Sequence, residues 1–185
     1  MIWIIPVIVV VIIFWLISIY NSLVRLRNTR QNAFADIDVQ LKQRHDLVPQ
    51  LVESVKGYAT HERELLTKIT QARTAAMGAT TIDEKIKTET QLSAALQGLK
   101  VAVEAYPDLK ANQNFLQLQE ELSDIENKLA AVRRYFNAAT TEYNTGAETF
   151  PSNLIASSFG FHRETLFDLG QERATLEEPP KISFS

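Results

Sequence analysis

From Ile2 to Ile19 the chain reads IWIIPVIVVVIIFWLISI, uncharged throughout and interrupted only by Pro6 and Ser18. As a helix this run is about 27 Å long at 1.5 Å per residue, close to the hydrocarbon thickness of a bilayer. A β-branched run with no polar face argues for lipid on all sides and against the core helix of a soluble fold. A cleaved secretory leader would carry a basic start, a shorter apolar run and a small-residue cleavage site, none of which is present, so the run is expected to remain as an anchor. Pro6 lies in the first turns, where a missing N–H costs little, and Trp3, Trp15 and Tyr20 suit interfacial positions. Arg25, Arg27, Arg30, Lys42 and Arg44 follow the run and outweigh Asp36 and Asp38, whereas only Met1 precedes it. The positive-inside rule then predicts a single-pass protein of the cell (inner) membrane, with a short N-terminus outside and the C-terminal domain cytoplasmic.

Beyond Tyr20 the periodicity is helical. Alternate steps of three and four from Phe34 reach Ile37, Leu41, Arg44, Val48, Leu51, Val55, Tyr58, Glu62, Leu65, Ile69, Ala72 and Ala76, an apolar stripe in which only Arg44 and Glu62 are ionic. The phase is unchanged across Pro49, which predicts a kink with an unpartnered His45 carbonyl and no chain reversal before Met77. Gly78 ends this helix, and Thr81-Ile82-Asp83-Glu84 is a capping box for the next, whose apolar positions are Ile82, Ile86, Leu92, Leu96, Leu99 and Val103. Tyr106-Pro107-Asp108 stops it. A third helix, beginning near Asp108 and bounded by Gly146 and Pro151, carries Phe115, Leu118, Leu122, Ile125, Leu129, Val132, Phe136, Ala139 and Tyr143. Pro151 opens a short helix that Gly160 closes.

The expected fold is all-α: an N-terminal transmembrane helix (1–20) continuing into an up-and-down antiparallel helical bundle (21–170), then an extended tail (171–185). Leu118, Leu122, Ile125 and Leu129 are expected to bury against Leu51, Val55 and Leu65. Residues 20–77 as one helix would be about 87 Å long and residues 82–105 only about 36 Å. That mismatch leaves the membrane-proximal stretch to be covered by the third helix, by the tail or by other copies of the chain; an exposed apolar stripe favours the last and predicts a homo-oligomer.

Candidate chemistry is sparse. The chain has no Cys, three His and a net charge of −3, which excludes thiolate metal sites and a cysteine nucleophile and argues against nucleic acid as a partner. The six glycines are scattered, so phosphate-cradling loops are missing and no cofactor or small-molecule substrate is expected. His61-Glu62 begins like the HExxH zinc motif, but position 65 is Leu, which removes the second imidazole. Arg44-His45-Asp46 is the densest polar cluster; ionic residues in an apolar stripe commonly fix register or pair across helices, and a partner surface is the functional alternative. A rival enzyme reading has Arg44, His45, Asp46, His61 and Glu62 lining one site. Convergence on an enclosed pocket supports that reading and dispersion removes it. Asn21 and Asn28, and Asn137 and Asn144, are each spaced by seven and could align helices, or face solvent. Arg133-Arg134-Tyr135 reads as a solvated basic spot. Phe150, Phe159, Phe161 and Phe167 are either core or a contact for a partner or membrane surface. Pro180-Lys181-Ile182-Ser183-Phe184 alternates like a strand or is disordered.

Tyr20-Asn21-Ser22-Leu23-Val24, Arg27-Asn28, Ala35 to Lys42, Arg44 to Pro49, Leu51-Val52, Val55 to Tyr58 and His61-Glu62 occur in an ordered series. It continues through Arg134 to Asn137, Tyr143-Asn144, Phe150 to Asn153, Phe159 to Phe161 and Pro180 to Phe184. Together these resemble the LemA family over essentially the whole chain from Tyr20. The resemblance implies a bacterial single-pass membrane protein with a helical-bundle domain and brings no catalytic, metal or cofactor residues. Family members that help organise magnetosome membranes imply a scaffold, and neighbouring membrane metallopeptidase genes imply a protease partner. The expected function is a non-enzymatic, membrane-anchored scaffold or adaptor that self-associates, held in the lipid bilayer through residues 2–19; the alternative is an accessory subunit of a membrane enzyme such as a metallopeptidase.

Overall fold

The structure, a computed structural model, describes residues 3–58 and 62–167. It contains helices α1 (Ile4–Lys56), α2 (Arg63–Gly78), α3 (Ile82–Val103), α4 (Pro107–Lys110), α5 (Gln113–Glu148) and α6 (Ser152–Phe159), with no strand among the described residues. The all-α expectation holds. The chain divides into two compact units, one of residues through Val39 with Leu129–Leu166, the other of Gln40–Lys128 with Phe167. Residues Trp3 to Ser18 are exposed without exception, the reverse of a core helix, and α1 is long and apolar enough to cross a membrane. The tail from residue 171, its strand-like end, and His61 lie outside the described residues.

In the Gln40–Lys128 unit, the single helix expected over residues 20–77 is corrected to two. Pro49 sits inside α1 without ending it. The chain instead turns back after Lys56: Val52 and Leu66 line one groove, and His45 meets Arg73, so α2 runs antiparallel to α1. Gly57 lowers helix propensity at the break, where the Tyr58 N–H bonds back to the Val55 carbonyl at 3.0 Å. Both ends of the turn are tied down. Asn112 Nδ2 donates to Tyr58 Oη at 3.0 Å, and Tyr106 Oη donates to Glu62 Oε1 at 3.3 Å. Burial, and then the adjoining Glu62 carboxylate, push the Tyr106 hydroxyl pKa up.

On either side of this reversal α1 and α2 turn their apolar faces to one core, which holds Val48, Leu51, Val55, Leu66, Ile69 and Ala76; at the turn itself the expected stripe is broken, with Tyr58 exposed and Leu66 buried more deeply than Leu65. α3 adds Leu92, Leu96, Leu99 and Val103, and α5 adds Phe115 and Ile125, with Leu118 and Leu122 half-buried. Each fully buried aliphatic contributes about 1.5–3 kcal/mol. The expected capping box is present: Glu84 N–H bonds Thr81 Oγ1 at 3.2 Å while Thr81 N–H bonds Glu84 Oε2 at 3.2 Å. The third helix does not start at Asp108. Residues 107–110 form the short α4, and Asn112 Oδ1 accepts the Phe115 N–H at 3.1 Å to open α5 afresh.

In the unit of residues through Val39 and Leu129–Leu166, α1 and α5 lie side by side. Gly146 does not end the helix as expected; it lies inside α5, where a Cβ would come within 2.8 Å of Leu26 Cδ1, so the absence of a side chain permits the close approach. α6 folds onto this pair through Ile155 and Ala156, packed with Leu23, Tyr143, Ala147 and Phe161. Gly160, at φ 73°, closes α6 as expected, with the Phe161 N–H on the Ala156 carbonyl at 3.0 Å. The partner-length mismatch that motivated self-association disappears: Phe34 rests on Phe136 with ring centroids 5.4 Å apart, and Leu23 and Leu26 pack at Gly146.

Candidate functional site

The strongest polar constellation lies in the core of the Gln40–Lys128 unit, where the apolar stripe of α1 carries Arg44. Arg44 is 1% exposed, and its guanidinium reaches three acceptors on two other helices: Nη1 to Glu89 Oε2 at 3.2 Å, Nη2 to Ser93 Oγ at 2.9 Å, and Nη2 to Glu126 Oε1 at 3.5 Å. Glu89, itself 1% exposed, also holds His45 Nε2 at 2.6 Å through its other oxygen. Burying a carboxylate is tolerable only when its lone pairs are filled, and here two cationic or donor groups from α1 fill them from one side. The site is thus a cross-helix ionic lock that joins α1, α3 and α5.

Pro49 extends the lock to α2. With no N–H at position 49, the His45 carbonyl four residues earlier lacks its helical donor. Arg73 Nε supplies one at 2.6 Å. The carbonyl orphaned by the proline has become the point on which α2 docks.

A cavity of about 300 Å³ opens beside the lock, lined by Ser93, Glu126, Leu96, Phe115, Leu122 and Lys100 among others. Ser93 faces a guanidinium, which cannot accept its proton, so this arrangement orients a hydroxyl without activating it as a nucleophile. The four described residues of the rival enzyme reading, Arg44, His45, Asp46 and Glu62, do not line one pocket. Arg44 and His45 meet on Glu89, Asp46 is exposed on a separate groove with Gln50, Glu121 and Lys128, and Glu62 is bonded by Tyr106. Among the described residues no group of three or more His, Asp or Glu gathers as metal ligands.

The second unit repeats the device with a different partner. Arg30, 6% exposed, stacks over Phe136 at 5.1 Å and pairs through Nη2 with Glu164 Oε2 at 3.0 Å. Asn144 holds the backbone of that same residue twice: Nδ2 donates to the Glu164 carbonyl at 2.9 Å and Oδ1 accepts the Glu164 N–H at 2.9 Å. Of the heptad-spaced amides, Asn144 is a buried clamp, whereas Asn21 and Asn28 are exposed. The aromatic quartet also splits: Phe161 and Phe167 are buried, Phe150 and Phe159 exposed.

Residues 33–184 match the sequence pattern of the LemA family. The chain belongs to the LemA family. Protein LemA of Metamycoplasma hominis is 30% identical, over 85% of this chain and 73% of its own length. Magnetosome protein MamQ 2 of Paramagnetospirillum magneticum is 23% identical, over 92% of this chain and 71% of its own. Magnetosome protein MamQ of Magnetospirillum gryphiswaldense is 22% identical, over 80% and 64%. In this LemA-family chain, periodicity singles out Arg44 but passes over its partner. Glu89 falls three residues after Ile86 and three before Leu92, on the buried face of α3, and its place on that stripe was the available signal. Arg30 likewise lies one step of four before Phe34 on the stripe that leads to Arg44. Arg73, Ser93 and Glu126 carry no such mark, because the neighbours that make them matter come from other helices.

Proposed function

We propose that this LemA-family chain is a membrane-anchored, non-enzymatic scaffold or adaptor whose helical domain presents its outer faces to other proteins at the cell membrane. The observation that carries this reading is α1. One uninterrupted helix, Ile4–Lys56, has a wholly exposed apolar run at its start and the ionic lock residues Arg44 and His45 near its end. An anchor segment and a domain whose polar groups tie its own helices together suit a device for holding position better than one for turning over substrate. The polar groups with most chemical potential support the same reading, since Arg44, His45 and Glu89 are spent on one another. The relatives named as magnetosome proteins are consistent with a role in organising membrane-associated assemblies. The arginine-rich stretch after the span supports an outside N-terminus and a cytoplasmic domain. Partners in this reading include a second copy of the chain.

The test is photocrosslinking in intact cells from exposed positions on the helical domain, followed by membrane fractionation and mass determination of the full-length chain in mild detergent. Retention in membranes with discrete crosslinked species, homomeric or heteromeric, is the expected result. A chain released as a soluble protein, or a strict monomer that crosslinks to nothing, overturns it. Recovery of a metallopeptidase alone, with its activity changed when the chain is deleted, would replace the scaffold by the accessory-subunit role.

A further inference from the structure

α6 and the turn that leads into it expose large apolar side chains that the core does not explain. Phe150 is 80% exposed, Leu154 61% and Phe159 63%. Their location decides what covers them. Phe159 sits edge-on to Tyr20, with ring centroids 5.0 Å apart, and Phe161 meets the same ring at 5.8 Å. Tyr20 is the residue that follows the apolar run. Phe150 reaches the same level by register: α5 runs antiparallel to α1, with Phe136 beside Phe34 and Gly146 beside Leu23 and Leu26. Two more residues, about 3 Å of rise, bring α5 to its end at Glu148, and Phe150 lies in the turn that follows, between that end and α6, whose Phe159 meets Tyr20.

We propose that Phe150, Leu154 and Phe159 enter the headgroup–acyl boundary of the bilayer that α1 spans, making α6 a second, interfacial lipid contact beside the anchor. This rests on the anchored reading above. A short helix with Ile155 and Ala156 on its packed face and Leu154, Ser157 and Ser158 on its open face suits a boundary where apolar groups dip and hydroxyls stay wet. Aromatic rings favour this depth. The charges at the same level fit an anionic surface: Arg25 is exposed, and Arg27 lies 5.1 Å over the Phe161 ring.

The chain has no cysteines, so single labels need no background removal. Full-length Phe150→Cys, Leu154→Cys, Ile12→Cys and Val101→Cys proteins carrying a nitroxide are reconstituted into phosphatidylcholine–phosphatidylglycerol vesicles. Collision with oxygen is compared with collision with a water-soluble nickel chelate, after far-UV circular dichroism has matched each variant to wild type. The expected result is severalfold less chelate collision at 150 and 154 than at 101, with 12 the most oxygen-rich. Lipid-like behaviour at 12 combined with water-like behaviour at 150 and 154 overturns the interfacial contact while leaving the anchor intact. Water-like behaviour at 12 overturns the anchor and this proposal together.

Discussion

Replacing Glu89 by Leu removes the hub of the ionic lock while filling nearly the same volume. Glu89 accepts Arg44 at 3.2 Å and His45 at 2.6 Å, and both it and Arg44 are essentially closed to water. Removing one member of a buried pair typically costs about 3–5 kcal/mol, because the other charge stays buried and uncompensated. Here Arg44 retains Ser93 and the half-exposed Glu126, the latter at 3.5 Å, so the loss belongs at the lower end, about 3 kcal/mol. For a chain of this size that corresponds to a fall in Tm of about 6–12 °C. Arg44→Met should lose a comparable amount, since Glu89 then keeps only His45. The double variant Arg44→Met/Glu89→Leu should recover to within about 1–2 kcal/mol of wild type, because apolar residues of similar volume replace a buried pair at little cost. Urea titration of the full-length protein in mild detergent, followed by far-UV circular dichroism, measures all three. Simple addition of the two single losses in the double variant, or a Glu89→Leu protein indistinguishable from wild type, would refute the lock.

Arg73→Met should cost about 1–3 kcal/mol by leaving the His45 carbonyl buried without a donor, and should cost less in a Pro49→Ala background, where the restored N–H satisfies it; equal losses in both backgrounds in urea titration would sink the docking role. Gly146→Ala should stay within about 1 kcal/mol of wild type, since helix propensity gained offsets the displacement of a flexible Leu26 terminus, whereas Gly146→Val should lose about 1–3 kcal/mol. A Leu26→Ala background that fails to soften the valine effect in thermal melts would show that the contact is not the cause. Backbone N–H groups of Thr80 and Thr81, then the Thr80 hydroxyl, hold the Glu84 carboxyl below the usual carboxylate range. Its folded pKa is the lower one, so its contribution is complete above the ordinary carboxylate value and fades as pH falls through the depressed one. The Tm gap between wild type and Glu84→Gln should therefore narrow in acid, and parallel pH profiles would contradict the capping account.

Much of this architecture is legible in the three-four spacing alone. The stripe is buried as read from Ile37 to Val55 and again at Ile69 and Ala76, and Arg44 within it pairs across helices as ionic residues in such stripes do. The vacancy at the His45 carbonyl follows from Pro49 without any coordinates. The reversal between Lys56 and Arg63 was not legible, because a count of threes and fours has no sense of direction and apolar residues at Tyr58 and Leu65 carry the count across a turn where Tyr58 is in fact exposed and Leu66 is buried. Asn112 offered a better clue to the restart at α5, being a good cap residue three before Phe115, but it was overshadowed by Pro107. Glu89 was hidden by its charge: a carboxylate on an apolar face reads as an interruption until Arg44 and His45 are known to face it. Arg73 and Glu164 could not be ranked, since their partners are main-chain or distant groups brought near only by tertiary packing.

Asn144 grips residue 164 by both its main-chain atoms, as a neighbouring strand would. Such a grip is indifferent to the side chain at 164, so the clamp and the Arg30 ion pair can be altered separately. Tension arriving from the C-terminal side would load two hydrogen bonds on one residue simultaneously. The segment after Gly160 is thereby fastened to α5 like a cleated rope, and a pull on it is stopped at Asn144 before it reaches α6.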